Sequence, residues 1–212
     1  ILAECCRELG ITLYTFSIGL TTGSTDRPFA ELVAKHIGSI HHHIEVTEEY
    51  ALEMLDKIPP EIESIDLTSN RASLWQDLVL KWISENTDFK IIFCGDGSDE
   101  LFMSYVYCHL APSSQAFHDE SVRLVEDIHM FDGLRAGMCA NAYGLEIRFV
   151  FLAKQLINLV FSISPELRMP KGGMEKWLLR EAFASTSYLP LEVIFRSKEG
   201  LSDGVSETSK SW

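Results

Sequence analysis

The chain has 212 residues, 46% of them hydrophobic and 23% charged, which is enough for one well-buried domain and too apolar for a disordered segment. Its formal charge of −13 excludes nucleic acid and anionic lipid as partners, since both require a sizeable basic face. The longest apolar runs, such as Phe149-Val150-Phe151-Leu152-Ala153, fall far short of the roughly 20 residues of a membrane span, so the chain reads as soluble with no membrane partner.

The first ten residues carry Glu4 and lack a basic leader before an apolar core, so they do not read as a secretory signal. They read as a helix already in progress that Gly10 closes, and the chain is expected to begin in mid-element. Residues 12–18 alternate Tyr14, Phe16 and Ile18 on one side, a strand pattern, and Pro28 then starts a helix after a polar loop. Phe29, Leu32, Val33, His36 and Ile37 recur at helical spacing until Gly38, which predicts one buried face with His36 as a packed core histidine.

Residues 40–46 form the next predicted strand. Thr47, Glu48 and Glu49 then cap a short helix that buries Ala51, Met54, Leu55 and Ile58 and ends at Pro59-Pro60. A longer helix over 71–84 carries Leu74, Trp75, Leu78, Val79, Trp82 and Ile83 on its core stripe. It leads into the continuously apolar run of residues 90–94, the mark of a central parallel strand. This alternation predicts an α/β fold built on a doubly wound parallel sheet, whose ligands sit beyond the carboxyl ends of the strands. Beyond Ser98 the signals are helical, over 98–107, 114–140, 153–162 and 174–183, with Pro165, Pro170 and Pro190 between them. The chain thus divides into an α/β part over 1–110 and a mainly helical part over 111–212 of one domain.

The apolar strand empties into Gly95-Asp96-Gly97-Ser98-Asp99-Glu100. Two glycines let backbone amides approach a ligand without interference from a Cβ, as in a phosphate or ribose cradle. Asp99 and Glu100 fall in the first turn of the next helix, where a carboxylate can hold Mg²⁺ or simply complement the helix dipole. On mechanism alone the two readings balance. His41-His42-His43 is not read as a metal site, because consecutive strand residues point to opposite faces. Five cysteines with no Cys-x-x-Cys pair argue against a disulfide framework or a zinc knuckle and fit a reducing cytosol.

Ile92 to Leu101 resembles the V-I-F-S-G-E-G-S-D-E-L signature of asparagine synthetases, and Tyr105 to Pro112 resembles that family's Y-x-Y-F-H-K-A-P. Asp66-Leu67-Thr68-Ser69-Asn70-Arg71-Ala72-Ser73 looks like D-x-T-T-x-R-A-S, Phe131 to Ala136 like Y-D-x-L-R-A, and Arg196 to Gly204 like R-x-K-E-x-F-S-D-G. Further matches at residues 15–19, 144–148 and 174–181 extend the resemblance over essentially the whole chain, in order.

The resemblance implies a sheet of the ATP pyrophosphatase type followed by a helical lobe. It also implies a two-step reaction, in which the side-chain carboxylate of aspartate attacks the α-phosphorus of ATP and ammonia then displaces AMP from β-aspartyl-AMP. The cofactors implied are ATP, as substrate, and Mg²⁺. By motif match Lys198 is the cation nearest the phosphates and Asp99 a Mg²⁺ ligand; Ile18, Cys94 and Gly95 line the adenosine. Gly97, Ser98 and Glu100 of the same turn, with Thr68, are expected to bind ATP or substrate. Arg71, beside Thr68, borders the nucleotide or aspartate, Asp132 and Arg135 organise Lys198 and the phosphate end, and Asp96 stands where the family has a Glu proposed as proton acceptor. Without the motif match, Arg71, Arg135 and Lys198 read as ordinary surface charges.

The family's S-G-G-L-D-S-S pyrophosphate loop and its glutaminase domain, the source of ammonia from glutamine, have no counterpart in the sequence. The chain is therefore read as a fragment of a cytosolic, glutamine-hydrolysing enzyme that pairs as a homodimer in full-length form. The alternative is a catalytically inactive pseudoenzyme or interaction module. Asp96 in place of Glu withdraws the carboxylate by one methylene, and Phe149 to Ala153 replaces V-P-F-L-D.

Overall fold

The computed structural model describes residues 1–207. Backbone contacts gather the chain into two compact units, one formed by residues 1–87 with the segment from 183 onward and the other by residues 88–182. The switch near residue 110 marks where α/β signals give way to helical ones, whereas compactness follows the return of the chain to its first unit.

The first unit opens with α1 (Leu2–Leu9), ended by Gly10 at φ 66, where its amide bonds the carbonyls of the last turn. β1 (Tyr14–Leu20) and β2 (Ile40–Val46) pair in parallel from Tyr14↔Ile40 to Leu20↔Val46. Between them runs α2 (Arg27–Ile37), with Pro28 in its first turn and Gly38 at φ 70 beyond its end. His36 does not join the core: it is exposed and bonds the Ser187 carbonyl at 2.7 Å. The buried residue of α2 is Ala34, because the apolar stripe only grazes the sheet and the imidazole sits at its margin.

Thr47 caps α3 (Glu48–Leu55) by accepting the Tyr50 amide at 3.2 Å. Pro59 and Pro60 do not end helical structure; they lie in the first turn of α4 (Ile58–Glu61), where a missing amide hydrogen costs nothing. α5 (Leu67–Asn86) starts earlier than periodicity indicates, because the Asp66 carboxylate accepts the Ser69 amide at 2.7 Å. Its buried face holds Leu74, Trp75, Leu78, Leu80 and Ile83.

In the second unit β3 (Ile91–Cys94) leads through a turn to α6 (Ser98–Phe102), and a 3₁₀ turn over Val106–Leu110 follows. The predicted helix over 98–107 is therefore two pieces, parted at Met103, whose φ of 53 no helix accommodates. The single helix predicted over 114–140 is also interrupted: α7 (Ser114–Asp127) and α8 (Asp132–Ala142) are separated by a 3₁₀ turn at Ile128–Met130. A Cβ on Gly133 would stand 2.9 Å from the Ile128 carbonyl oxygen, so glycine permits that tight junction. β4 (Glu146–Phe149), absent from the sequence reading, pairs in parallel with β3. α9 (Lys154–Ser162) and α10 (Pro165–Arg168) complete the unit, and α11 (Trp177–Ala184) carries the chain back to the first.

Among the described residues the strands form two two-stranded sheets, β1 with β2 and β3 with β4. The α/β class and the parallel pairing agree with the sequence reading; one doubly wound sheet is not formed. β3 also departs from a central strand in that Ile91 and Phe93 are 52% and 56% exposed. Together with Arg148, Phe149 and Val150 they line an open hollow of about 450 Å³, which includes none of the predicted site residues.

The returning segment carries α12 (Leu191–Ile194) and α13 (Leu201–Gly204). Its carbonyls accept from the loop after β1: the amides of Leu20, Thr25 and Asp26 donate to Val205, Ser206 and Gly204 at 2.8, 3.2 and 3.1 Å.

Candidate functional site

The turn between β3 and α6 owes its shape to Gly97, whose φ of 92 is open to glycine and disfavoured elsewhere. A Cβ there would also come within 2.6 Å of Leu152 Cδ2. At Gly95 a Cβ would meet nothing within 4 Å, so that residue leaves open space in front of the strand end. The Asp96 amide donates to Cys94 Sγ at 3.4 Å. Burial, and next the charge of Asp96, push the Cys94 thiol up to about 12. A thiol so raised stays protonated at neutral pH.

Four carboxylates stand around this turn, and two of them share one cation. Asp99 Oδ1 lies 2.9 Å from the Lys176 ammonium as an ion pair, and Lys176 donates to Ser98 Oγ at 3.0 Å. Glu100 is only 4% exposed and accepts from the Tyr105 hydroxyl. Burial raises its carboxyl above the usual range, and the charges of Asp132 and Asp99 add to that. Arg135, 6% exposed, bonds Asp132 and approaches Asp96 Oδ2 at 3.5 Å.

The structure thus brings together Cys94, Gly95, Asp96, Gly97, Ser98, Asp99, Glu100, Asp132 and Arg135 in the second unit. It adds Lys176 and Tyr105, to which the sequence reading gave no role. Both lay inside matched motifs, at Met174 to Glu181 and Tyr105 to Pro112, which was the available signal. Glu100 faces inward, bonded within the protein, whereas Asp99 is about one-third exposed, at 32%.

Ile18, Thr68, Arg71 and Lys198 belong to the first unit. Ile18 is buried near the end of β1, at 5% exposure. Thr68 lies exposed in the first turn of α5, and Arg71 one turn on meets Asp203 at 3.5 Å. Lys198 is exposed on the returning segment. Its neighbours are tied down: Arg196 bonds Asp26 at 2.6 Å and stacks its guanidinium 4.1 Å from the Phe29 ring centroid, while Thr25 Oγ1 donates to Glu199 at 2.7 Å.

The histidine run divides between two faces of the β1–β2 pair. His41 Nε2 and His43 Nδ1 lie 2.9 and 2.8 Å from Ser17 Oγ, and His42 stacks on Phe16 and meets Trp82 at a tilt. Burial lowers the pKa of His41 and of His43. Among the described residues no three His, Cys, Asp or Glu side chains gather as a metal-holding group. A Mg²⁺ at Asp99 fits this donor set only as an ion carried mostly by a ligand's own oxygens, the usual manner for Mg²⁺ with phosphates.

A sequence model of the family described as asparagine synthase matches residues 2–118 and 109–211. The chain is 42% identical over 200 residues to the glutamine-hydrolysing asparagine synthetases of Bos taurus and Homo sapiens, covering 94% of this chain and 36% of each relative. It is 41% identical over 214 residues to that of Gallus gallus, covering 100% of this chain and 38% of the relative. The chain therefore spans little more than a third of the length of these relatives.

Proposed function

We propose, from the premise that the chain belongs to the asparagine synthase family, that it forms the synthetase part of a ligase that amidates aspartate at the expense of ATP. The observation that carries this reading is the turn after β3, with open space at Gly95, a half-open Asp99 and a buried Arg135 joining Asp96 to Asp132. In this reading the α/β fold is related to the ATP pyrophosphatase type, and the reaction passes through β-aspartyl-AMP.

Adenylation converts a carboxylate that ammonia cannot attack into one with a good leaving group. The adenosine lies along Cys94 and Gly95, where a neutral thiol and a glycine offer an uncharged surface. Asp99 would hold Mg²⁺, which when bound would supply charge neutralisation for the departing pyrophosphate. Arg135 fixes Asp96, which accepts a proton as ammonia adds. Gly97 and Ser98 shape the turn, and Glu100 with Tyr105 supports it from behind. In the first unit Ile18, Thr68, Arg71 and Lys198 take the roles that the resemblance implies, with Lys198 the cation for the phosphates. The same reading makes ammonia the product of a glutaminase domain, and the whole protein a cytosolic homodimer.

The test is aspartate-dependent release of pyrophosphate from ATP by the full-length protein, with ammonium as nitrogen donor. Release that needs both aspartate and Mg²⁺ supports the assignment. A protein that binds ATP with Mg²⁺ yet releases no pyrophosphate is the inactive form of the scaffold.

A further inference from the structure

The Asp99 carboxylate already has a cation. Its Oδ1 is sealed from solvent and lies 2.9 Å from the Lys176 ammonium. The lysine is held from several sides: it donates to Ser98 Oγ at 3.0 Å, its side chain is 17% exposed, and its carbonyl accepts the Arg180 amide at 3.0 Å. Its backbone φ of 53 is one that residues with a Cβ rarely take. These constraints fix the ammonium beside Oδ1 and leave Asp99 one outward oxygen.

An ammonium so placed acts differently on two kinds of incoming ligand. A bare divalent cation meets a carboxylate whose charge is already neutralised, and is repelled by the lysine at short range through a partly desolvated path. A divalent cation carried on a triphosphate arrives as a complex of net negative charge, and the same lysine attracts it. The other acids of the turn are engaged within the protein, Asp132 and Asp96 by Arg135 and Glu100 by the Tyr105 hydroxyl.

We propose that Lys176 is a specificity-determining residue, one that closes Asp99 to a free divalent cation and opens it to a cation borne by a nucleoside polyphosphate. This rests on the nucleotide reading given above. It assigns Lys176 no part in bond making.

The experiment uses the full-length protein, Mn²⁺ as a paramagnetic probe, and an ATP analogue with a methylene in place of the oxygen between the α- and β-phosphorus. Electron paramagnetic resonance measures bound Mn²⁺ with and without the analogue. Lys176→Met should tighten binding of Mn²⁺ alone about fivefold and weaken binding of the Mn²⁺–analogue complex about tenfold, the scale expected of one close charge. Lys176→Arg, which keeps the charge, should stay within about twofold of the parent protein on both measures. Lys176→Gln replaces the Met variant if circular dichroism shows that the latter is unfolded. Parallel weakening of both ligands, or no change in either, overturns the proposal while leaving the nucleotide site intact. A parent protein that binds no Mn²⁺–analogue complex, or binds it equally well as Asp99→Asn, overturns the nucleotide reading and the proposal together.

Discussion

Arg135 Nη2 lies 3.5 Å from Asp96 Oδ2 while bonding Asp132, so a single guanidinium with 6% exposure joins the turn after β3 to the start of α8. Replacing Arg135 by Met should cost about 2–4 kcal/mol, because two carboxylates lose the cation that justifies their packing. Arg135→Lys should recover less than half of that, since an ammonium cannot serve both acids as a planar fork does. Urea unfolding midpoints of the three proteins decide the matter.

Glu61 and Asp77 give stability a pH dependence. Asp77 is fully buried on α5, and its carboxyl is hydrogen-bonded to that of Glu61 on α4. Two carboxyl groups in hydrogen-bond contact must share a proton, and burial followed by that bond raises Glu61 from 4.5 to about 7. Lys81 on α5 feels the charge of Asp77 but bonds Tyr50 on α3, at 2.9 Å. Between pH 4.5 and about 7 the unfolded chain has released a proton that the folded chain retains. Stability should therefore fall as pH rises through that window and level off above it. With Glu61 partly exposed, the change is on the order of 1 kcal/mol. Glu61→Gln keeps a donor facing Asp77 at every pH and should flatten the slope in thermal unfolding recorded from pH 5 to 8.

Gly204 is fixed by its neighbour. A Cβ there would stand 2.1 Å from Asp26 Oδ2, the carboxylate that holds Arg196 at 2.6 Å. Gly204→Ala should cost about 1–3 kcal/mol. In an Asp26→Ala background the same substitution should cost less than half as much, a coupling that a double-mutant cycle measures.

Lys198 is exposed, so Lys198→Ala should leave the melting temperature within about 1 °C of the parent. If the ammonium meets the phosphates during adenylation, pyrophosphate release by the full-length protein should fall by about 100-fold or more. Unchanged release removes the residue from that role.

What the sequence disclosed follows the range of the forces involved. β1 and the two ends of α2 were readable because an apolar alternation, a proline and a glycine act locally. The turn at residues 95–100 was readable from its motif. β4 was not, because four residues with Glu146 and Arg148 on one side make too short a pattern without β3 beside them. The break between α7 and α8 was hidden because helical periodicity runs through it, and only the close approach of Gly133 to the Ile128 carbonyl explains it. The fixing of Asp99 by Lys176 and of Glu61 by Asp77 depends on tertiary contact alone, so no spacing in the sequence announces either.

The first unit is discontinuous in sequence, and this orders events at the ribosome. Residues 88–182 emerge before the returning segment that completes the body they interrupt. Until residues 204–206 are synthesised, the amides of Leu20, Thr25 and Asp26 have water as their acceptor, and Arg196 has not yet reached Asp26. A nascent chain stalled before that point would carry the insert while the end of β1 still lacks the carbonyls that receive its amides.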